Sequence, residues 1–159
     1  MPIFNSVIIQ RLQYDTYYIA NMKHKHKYKY EEPLEEYYHT SKYKLQIGSS
    51  TISNAGKGVF VEECIERNTF IDYYYGDEIS YIGTGAYFVG FNDGSRILGI
   101  DALSFPRCYM AMVNDAYKTL FINNCRLDIV NEQIEIWSMN DIYPGQELFM
   151  SYGSNYWTI

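Results

Sequence analysis

One tyrosine near the end of the sequence is the first candidate for a chemical role. Tyr152 lies in the stretch ELFMSYGSNYW, after a Pro-Gly turn and directly before Gly153. Its phenol hydroxyl can both donate and accept a hydrogen bond. The chain has 18 tyrosines, however, and β-rich proteins also place tyrosine on sheet faces and edges for packing alone. Tyrosine content therefore does not decide between a chemical and a structural role, and the surrounding pattern must.

Two further patterns contain residue types that bind ligands, and each also has an ordinary structural interpretation. Residues 56–60, GKGVF, place a G-x-G sequence beside a predicted strand. This permits close backbone approach, but no Rossmann βαβ unit surrounds it and a simple turn is the commoner case. His24 and His26 in KHKHKYKY have a spacing that could bind a metal. Because no further ligands lie nearby in the sequence, a solvated loop or an edge strand is the favoured interpretation.

The elements that must position these residues are short strands. From residue 43 onward, β-branched or aromatic runs alternate with gaps that mostly contain Gly, Asn, Asp or Ser. No segment of this region sustains a long helical period, and the sequence shows no internal repeat. The pattern predicts a mainly β domain with short helices over residues 44–159. The predicted strands are KLQIGSS, GVFVEE, TFIDYYYG, AYFVGF, RILGID, CRLDIV, IEIWSM and ELFMSY.

Residues 1–43 differ in character and are predicted to form an N-terminal flanking segment. Residues 6–22 fit neither the helical nor the strand period cleanly and favour a weak helix. Pro33, followed by Glu35 and Glu36, indicates the start of a short helix. The flank could pack on the core, position a substrate or mediate self-association.

The composition limits the class of protein. With 47% hydrophobic and 20% charged residues, the chain is expected to be soluble and globular, with no signal peptide or membrane span. Its net charge of −6 argues against a nucleic-acid-binding surface, which needs clustered Lys and Arg, and suits a basic peptide or protein partner. The chain has three cysteines, and no two of them form a C-x-x-C pair: Cys64, Cys108 and Cys125. Reduced thiols in an intracellular compartment are therefore expected, without a disulfide framework or a zinc ribbon.

Taken in order, the motifs from about residue 44 to 157 resemble the SET domain of protein lysine methyltransferases. GKGVF matches that family's G-x-G-hydrophobic-aromatic motif, and YYGDEI is similar to its Y-x-G-E-x-I pattern, with Asp77 in place of Glu. AYFVGF and IDA resemble the segments that precede the family's N-H-S motif, which is NDA at residues 114–116 here. Asn124 is similar to the asparagine of the family's P-N pair, and GQELFMSYGSNYW is close to the family's G-E-E-L-x-x-x-Y-G ending.

The resemblance implies a protein-lysine N-methyltransferase that uses S-adenosylmethionine, with histone tails as the substrate by family habit, in the nucleus or cytoplasm. It implies a fold of several small sheets with a knot-like threaded C-terminal segment, and a narrow channel between cofactor and substrate lysine. Tyr152 is the implied catalytic residue. The implied cofactor-binding residues are Gly56, Lys57, Gly58, Asn114, Asp115, Tyr152 and Trp157. The implied substrate channel is lined by Tyr87, Met150 and Tyr156.

The chain departs from the family pattern at several positions. Asp115 and Ala116 replace the His and Ser of the N-H-S motif. Met150 occupies the position linked to the number of methyl groups added, and that number cannot be read from it. No cysteine-rich zinc segment follows the core, so no metal is expected, and Tyr156 and Trp157 are expected to provide an aromatic lid. No nucleic-acid site and no membrane contact are expected, and a homodimer is left open.

Two other interpretations stay open at this point. The NDA sequence at residues 114–116 favours a SET-like interaction module that has kept the fold and lost the reaction. A β-rich binding domain with chance motif matches would place residues 147–153 on an ordinary exposed edge. The SET fold instead brings that segment to residues near Asn114, an arrangement that most folds avoid.

Overall fold

The computed structural model describes residues 6–10, 37–38, 41–79, 87–92, 97–103 and 107–157. This part of the chain is mainly β, as the sequence predicts, with short 3-10 helices at Tyr109–Met112 and Ser154–Trp157. It is divided between two compact units. The strands are β1 (Ser6–Gln10), β2 (Tyr37–Tyr38), β3 (Leu45–Ser49), β4 (Lys57–Val61), β5 (Phe70–Tyr73), β6 (Asp77–Ile79), β7 (Phe88–Asn92), β8 (Ile97–Asp101), β9 (Arg107–Cys108), β10 (Cys125–Val130) and β11 (Gln133–Ser138).

The first unit is built on an antiparallel sheet with the strand order β1-β7-β8-β6. β7 and β8 pair over their full length, with Phe88 opposite Asp101. Gly99 of β8 leaves room for the Phe88 ring, because a Cβ at Gly99 would overlap that ring. A larger residue there would therefore force the sheet or the ring to move. The 3-10 helix Ser154–Trp157 belongs to the same unit and lies next to β1.

The predicted N-terminal flank contributes a strand to this sheet. Residues 6–10 form β1, which pairs with β7. The weak helix predicted over residues 6–22 is therefore wrong for residues 6–10. An edge strand gains its hydrogen bonds from its neighbour, so its own sequence need not show a clean period. The remainder of that helix, the short helix predicted at Pro33, and the KHKHKYKY segment with His24 and His26 lie outside the described residues.

The second unit contains the small sheets β10-β11-β5, β3-β4 and β2-β9, and begins within β2. β10 and β11 form a hairpin in which Val130 pairs with Gln133. The two loop residues, Asn131 and Glu132, have φ values of 50° and 65°. Positive φ at both central positions is what a type I′ turn requires, and this turn matches the twist of the strands it joins.

The segment that carries the sequence ELFMSY is held by single bridges and does not form a regular strand. Phe60 bridges Glu147, Asn114 bridges Phe149 in parallel, and Cys125 bridges Met150 in parallel. A turn precedes the segment, as predicted: Gly145 has a φ of 85°, and Gln146 N donates to the Tyr143 carbonyl oxygen (3.0 Å). The segment therefore pairs in turn with β4, with residue 114 and with the start of β10, and all of these contacts lie within the second unit.

The core of the second unit collects the inward positions of these strands. It is aliphatic, and burial of such side chains is the main stabilising contribution to a domain of this size. A strand buried on one side shows this as alternation, which β11 follows. Its most completely buried side chains are Val59, Val61, Ile65, Ile71, Met110, Ile134, Ile136, Ile142, Leu148 and Met150.

Candidate active site

A buried carboxylate lies at the centre of the second unit's candidate residues. The Glu147 side chain is only 4% exposed. Its Oε1 accepts a hydrogen bond from Ser50 Oγ (2.7 Å), and its Oε2 accepts from Thr51 N (2.7 Å) and Thr51 Oγ1 (2.6 Å). A charge in such a position needs donors of this kind, because an unpaired buried carboxylate is costly. Glu147 therefore fixes the loop that leads from β3 to β4.

Asn114 connects this carboxylate to the G-x-G segment. Its Nδ2 donates to the carbonyl oxygen of Lys57 (2.8 Å) and to Glu147 Oε1 (3.2 Å). Its own carbonyl oxygen accepts a hydrogen bond from Met150 N (2.9 Å). The predicted residues Lys57, Gly58 and Asn114 are thus brought together. The amide nitrogen of Asn114 donates its hydrogen bonds to two groups of the protein itself.

The two glycines of the G-x-G segment are required for different structural reasons. A Cβ at Gly58 would overlap the Glu147 carboxylate, so only glycine lets that carboxylate reach its position. Gly56 has a φ of 76°, and a Cβ there would meet nothing within 4 Å. Its carbonyl oxygen accepts from Ser50 N (2.9 Å). Gly58 is therefore required for packing, while Gly56 is required by its backbone conformation and borders open space.

Asp115 organises the loop that follows it. Its Oδ1 accepts hydrogen bonds from Tyr117 N (3.0 Å) and Asn123 Nδ2 (2.9 Å). Asn123 Oδ1 in turn accepts from Ala116 N (2.9 Å). An aspartate that accepts from the backbone two residues ahead forms an Asx turn, a common way to stabilise a tight loop. The carboxylate of Asp115 therefore has a structural function within residues 115–123.

Met150 lies in the core of the second unit. Its side chain is among those that are completely buried. Asn124 secures the preceding residues, since its Oδ1 accepts from Phe149 N (2.8 Å) and its Nδ2 donates to the Glu147 carbonyl oxygen (2.9 Å). The backbone of residues 147–150 is thus fixed by hydrogen bonds from both Asn114 and Asn124.

The remaining predicted residues belong to the first unit, where three of them form an aromatic cluster. Tyr152 is buried, and its ring meets that of Tyr156 edge to face at 4.9 Å and stacks parallel to Trp157 at 6.4 Å. Tyr156 and Trp157 also meet edge to face at 4.7 Å. Such pairs stabilise by about 0.5–1.5 kcal/mol beyond their burial. Gly153, with a φ of 85°, makes the turn that brings the rings together.

Tyr87 is also buried in the first unit. Its carbonyl oxygen accepts a hydrogen bond from Ala102 N (3.1 Å), just beyond the end of β8. In the same unit, Gly76 precedes β6, and a Cβ there would overlap the Asp101 carbonyl oxygen. The close approach explains why the Y-x-G pattern has glycine at this position.

Two thiols of the second unit are protected by burial. Burial raises the pKa of the Cys108 thiol to about 11 and that of Cys125 to about 12. Cys64 is exposed. The thiolate is the reactive form of cysteine, so burial disfavours reaction of Cys108 and Cys125 at neutral pH.

Neither a metal cluster nor a membrane helix is found in the part of the chain that the structure describes. No group of three or more His, Cys, Asp or Glu side chains there could hold a metal ion. No helix among the described residues is long and apolar enough to cross a bilayer.

Sequence reasoning missed the central place of Glu147 and its partners Ser50 and Thr51. The signal was present only in part, as a glutamate after a Pro-Gly turn and a Ser-Thr pair after β3. Thr51 and Glu147 are 96 residues apart, and nothing in either segment predicts that they meet.

Comparison with known proteins places the fold. A scan against protein-family models and a search of curated proteins find no match. Among solved structures, a chain of the Chaetomium thermophilum polycomb repressive complex 2 is similar, with a TM-score of 0.56 and 24% identity. That match covers 73% of this chain and 16% of the other, so this chain spans about one sixth of its length.

Two further solved structures agree with this match. The methyltransferase domain of human PR domain-containing protein 2 has a TM-score of 0.55 and 18% identity, over 67% of this chain and 75% of that domain. Apo ctPRC2 in an autoinhibited state has a TM-score of 0.56 and 25% identity, over 71% of this chain and 16% of the other. The predicted threading of the C-terminal segment stays a prediction. The small antiparallel sheets and the similarity to these solved structures together show that the chain has a SET-like fold.

Proposed function

We propose that this protein transfers a methyl group from S-adenosylmethionine to the side-chain amine of a protein lysine. The observation that carries the proposal is the pairing of residues 147–150 with Asn114. These residues are buried, with Glu147 and Met150 both in the core, whereas a chance β-rich domain would leave them on an exposed edge. The likeness to a methyltransferase domain of known structure supports the same activity.

The residues of the second unit fit the cofactor in two respects. Gly56 borders open space at a backbone position with positive φ, where a ligand can approach the main chain. Glu147 and Asp115 place buried carboxylates on the segments proposed to bind this positively charged sulfonium compound. Bound there, the cofactor supplies an electrophilic methyl carbon on a cationic sulfur. The proposed binding residues are Gly56, Lys57, Gly58, Asn114, Asp115, Tyr152 and Trp157.

We assign the catalytic function to Tyr152. A lysine amine has a pKa of about 10.4 and is protonated at neutral pH, but only the neutral amine can attack carbon. An apolar surrounding lowers the pKa of an amine, so no strong side-chain base is needed. In this proposal the hydroxyl of Tyr152 orients the neutral amine by a hydrogen bond, and Tyr87, Met150 and Tyr156 line its channel. Tyr156 and Trp157, which pack on Tyr152, form the lid that excludes water.

The proposed substrate is a basic protein segment, with histone tails the first to be tested. The net charge of −6 favours the approach of a lysine-rich peptide. A histone substrate would place the protein in the nucleus at the time of reaction.

A second candidate function is a SET-like interaction module without activity. Asp115 is the observation that favours it, because the carboxylate that replaces the family's histidine serves the loop over residues 115–123. This module would bind a protein partner without transferring a methyl group.

A labelled-methyl transfer assay distinguishes the two candidates. The protein is incubated with labelled S-adenosylmethionine and with histones or total cell protein, beside the variant Tyr152→Phe. Loss of the hydroxyl should lower kcat about 100-fold, since misplacement of the reacting atoms by about 1 Å can cost about 10²-fold in rate. The control is Tyr143→Phe, at an exposed tyrosine on the Pro-Gly turn. Full turnover by Tyr152→Phe would remove Tyr152 from the mechanism, and no transfer by the natural chain to any substrate would favour the interaction module.

A further inference from the structure

We propose that Glu147 is a positioning residue that sets the affinity for S-adenosylmethionine by fixing the loop over residues 50–58. The inference rests on the proposed function. It assigns Glu147 no contact with the substrate and no part in the chemistry. Its effect passes through the backbone of the G-x-G segment and through Asn114.

Several hydrogen-bond donors converge on the Glu147 carboxylate. Ser50 Oγ donates to Oε1, while Thr51 N and Thr51 Oγ1 both donate to Oε2. Ser50 Oγ also accepts a hydrogen bond from Ile52 N (3.1 Å), and Ser50 N donates to the Gly56 carbonyl oxygen. One carboxylate therefore holds the loop at its first residues, and the loop closes on itself at Gly56.

Asn114 connects the carboxylate to the other end of the loop. Asn114 Nδ2 donates to both Glu147 Oε1 and the Lys57 carbonyl oxygen. Gly58 lies against the carboxylate so closely that it admits no side chain. The position of the Glu147 side chain therefore determines the positions of both the start and the end of the loop. A ligand that binds the main chain near Gly56 and Lys57 depends on that position.

An amide cannot replace the carboxylate at residue 147. Thr51 N and Asn114 Nδ2 are both N–H donors, and they lie on different oxygens of Glu147. A glutamine has one acceptor oxygen, so in either orientation its NH₂ group faces one of these donors. Asn114 cannot turn its amide over to accept, because its Nδ2 would then leave the Lys57 carbonyl oxygen. Glu147→Gln therefore leaves the buried Asn114 donor unsatisfied, or gives up the hydrogen bond from the exposed Thr51 and so releases the first end of the loop.

The experiment compares Glu147→Gln with Glu66→Gln, a matched change at an exposed glutamate. Calorimetry measures the Kd for S-adenosylmethionine, and steady-state kinetics with a lysine peptide separates the two KM values. Glu147→Gln should raise the Kd and the KM for S-adenosylmethionine at least about tenfold, which corresponds to 1.4 kcal/mol, within the cost of an unsatisfied buried donor. The KM for the peptide should stay within about twofold. A general loss of structure would not divide the two KM values in this way.

Backbone hydrogen exchange of the protein without ligand tests the same inference independently of binding. The amides of residues 50–58 should exchange at least about tenfold faster in Glu147→Gln than in Glu66→Gln, because the loop has lost its anchor. If Glu147→Gln does not fold, the pair Thr51→Val and Thr51→Ser replaces it. Valine removes the Oγ1 donor and should speed exchange and weaken binding, whereas serine retains a hydroxyl and should restore both.

The outcomes separate this inference from the proposed function. If the natural chain binds S-adenosylmethionine and Glu147→Gln binds equally well, the inference is overturned and the function stands. If the natural chain does not bind S-adenosylmethionine, the proposed function fails and the affinity claim fails with it. Hydrogen exchange then decides whether Glu147 fixes the loop, and unchanged exchange in Glu147→Gln would overturn that statement as well.

Discussion

At the scale of single residues, the chemistry proposed for this protein is divided between a side chain that contacts the reacting amine and side chains that hold the backbone in position. Tyr152 has a buried hydroxyl-bearing ring within an aromatic cluster. Glu147 and Asn114 act on the backbone, since their hydrogen bonds hold the loop and the G-x-G segment. Substitution of the two kinds of residue should therefore affect different kinetic constants: kcat for Tyr152, and affinity for Glu147.

The contact between Gly58 and Glu147 gives a prediction about stability. Gly58→Ala places a Cβ where the carboxylate now lies and should destabilise the protein by about 1–3 kcal/mol, the usual cost of overpacking. The free energy of unfolding in urea measures this. In a Glu147→Ala background the carboxylate is gone, so Gly58→Ala should cost less. An equal cost in both backgrounds would mean that the two residues do not compete for the same space.

The buried thiols give a prediction about pH. Because burial raises the pKa of Cys108 to about 11 and of Cys125 to about 12, from ordinary values near 9.0, both stay neutral in the folded protein when they ionise in the unfolded chain. Their contribution to stability is present below pH 9 and is lost as the pH rises toward 11 and 12. Each thiol should remove up to about 1.4 kcal/mol for every pH unit in that window.

The measurement is the free energy of unfolding at pH 8, 9 and 10 under reducing conditions. The decline above pH 9 should be shallower in Cys125→Ala than in the natural chain. Equal slopes in the two proteins would show that Cys125 does not titrate differently in the folded and unfolded states.

At the scale of elements, the hairpin between β10 and β11 has a correctable strain. Glu132 has a φ of 65°, a conformation that costs an ordinary L-residue roughly 1 kcal/mol. Glu132→Gly creates the Asn-Gly turn that type I′ hairpins prefer, and should stabilise the protein by about 0.5–1 kcal/mol. Thermal or urea unfolding checks this. Glu132→Ala keeps the unfavourable φ, so an equal gain from alanine would assign the effect to the lost charge instead.

Five strands of the second unit were predictable because their signals are local. β3, β4, β5, β10 and β11 overlap runs of β-branched and aromatic residues bounded by turn residues. The two-residue strands β2 and β9 were not predicted. The C-terminal segment also carries such a run, but its partners are single residues on several segments, so it forms bridges and no regular strand. β6 was missed because its three residues, Asp77–Ile79, are mostly polar and gain their pairing from β8.

The resemblance indicated only part of the candidate site. Gly56, Gly58 and Asn114 were expected from a resemblance, and the structure supplies physical reasons for Gly58 and Asn114 that no pattern contained. The role of Glu147 was not predicted, because a buried carboxylate is identified by its hydrogen-bond donors, and these donors come from segments far apart in the sequence. Tertiary contacts of this kind have no local signature.

At the scale of the whole molecule, the balance of charge predicts how a substrate arrives. With a net charge of −6, association with a lysine-rich peptide should be strengthened by long-range attraction and weakened by salt. The association rate should fall at least about threefold between 50 and 300 mM NaCl, as measured by stopped-flow or surface binding. An acetylated peptide of the same sequence is the control, and its rate should change little. A salt-independent rate for the charged peptide would argue against steering.

The bridges between the C-terminal segment and the rest of the second unit also determine when the protein can become functional during its synthesis. Thr51 emerges from the ribosome 96 residues before Glu147, and at roughly 5–20 residues per second the interval lasts roughly 5–20 seconds. Throughout that interval the nascent chain carries the donors of Ser50 and Thr51 without the acceptor that orders them. A ribosome-bound chain that stops short of Glu147 therefore lacks the anchor of the loop over residues 50–58, and affinity for the proposed cofactor should arise only once that residue has been made.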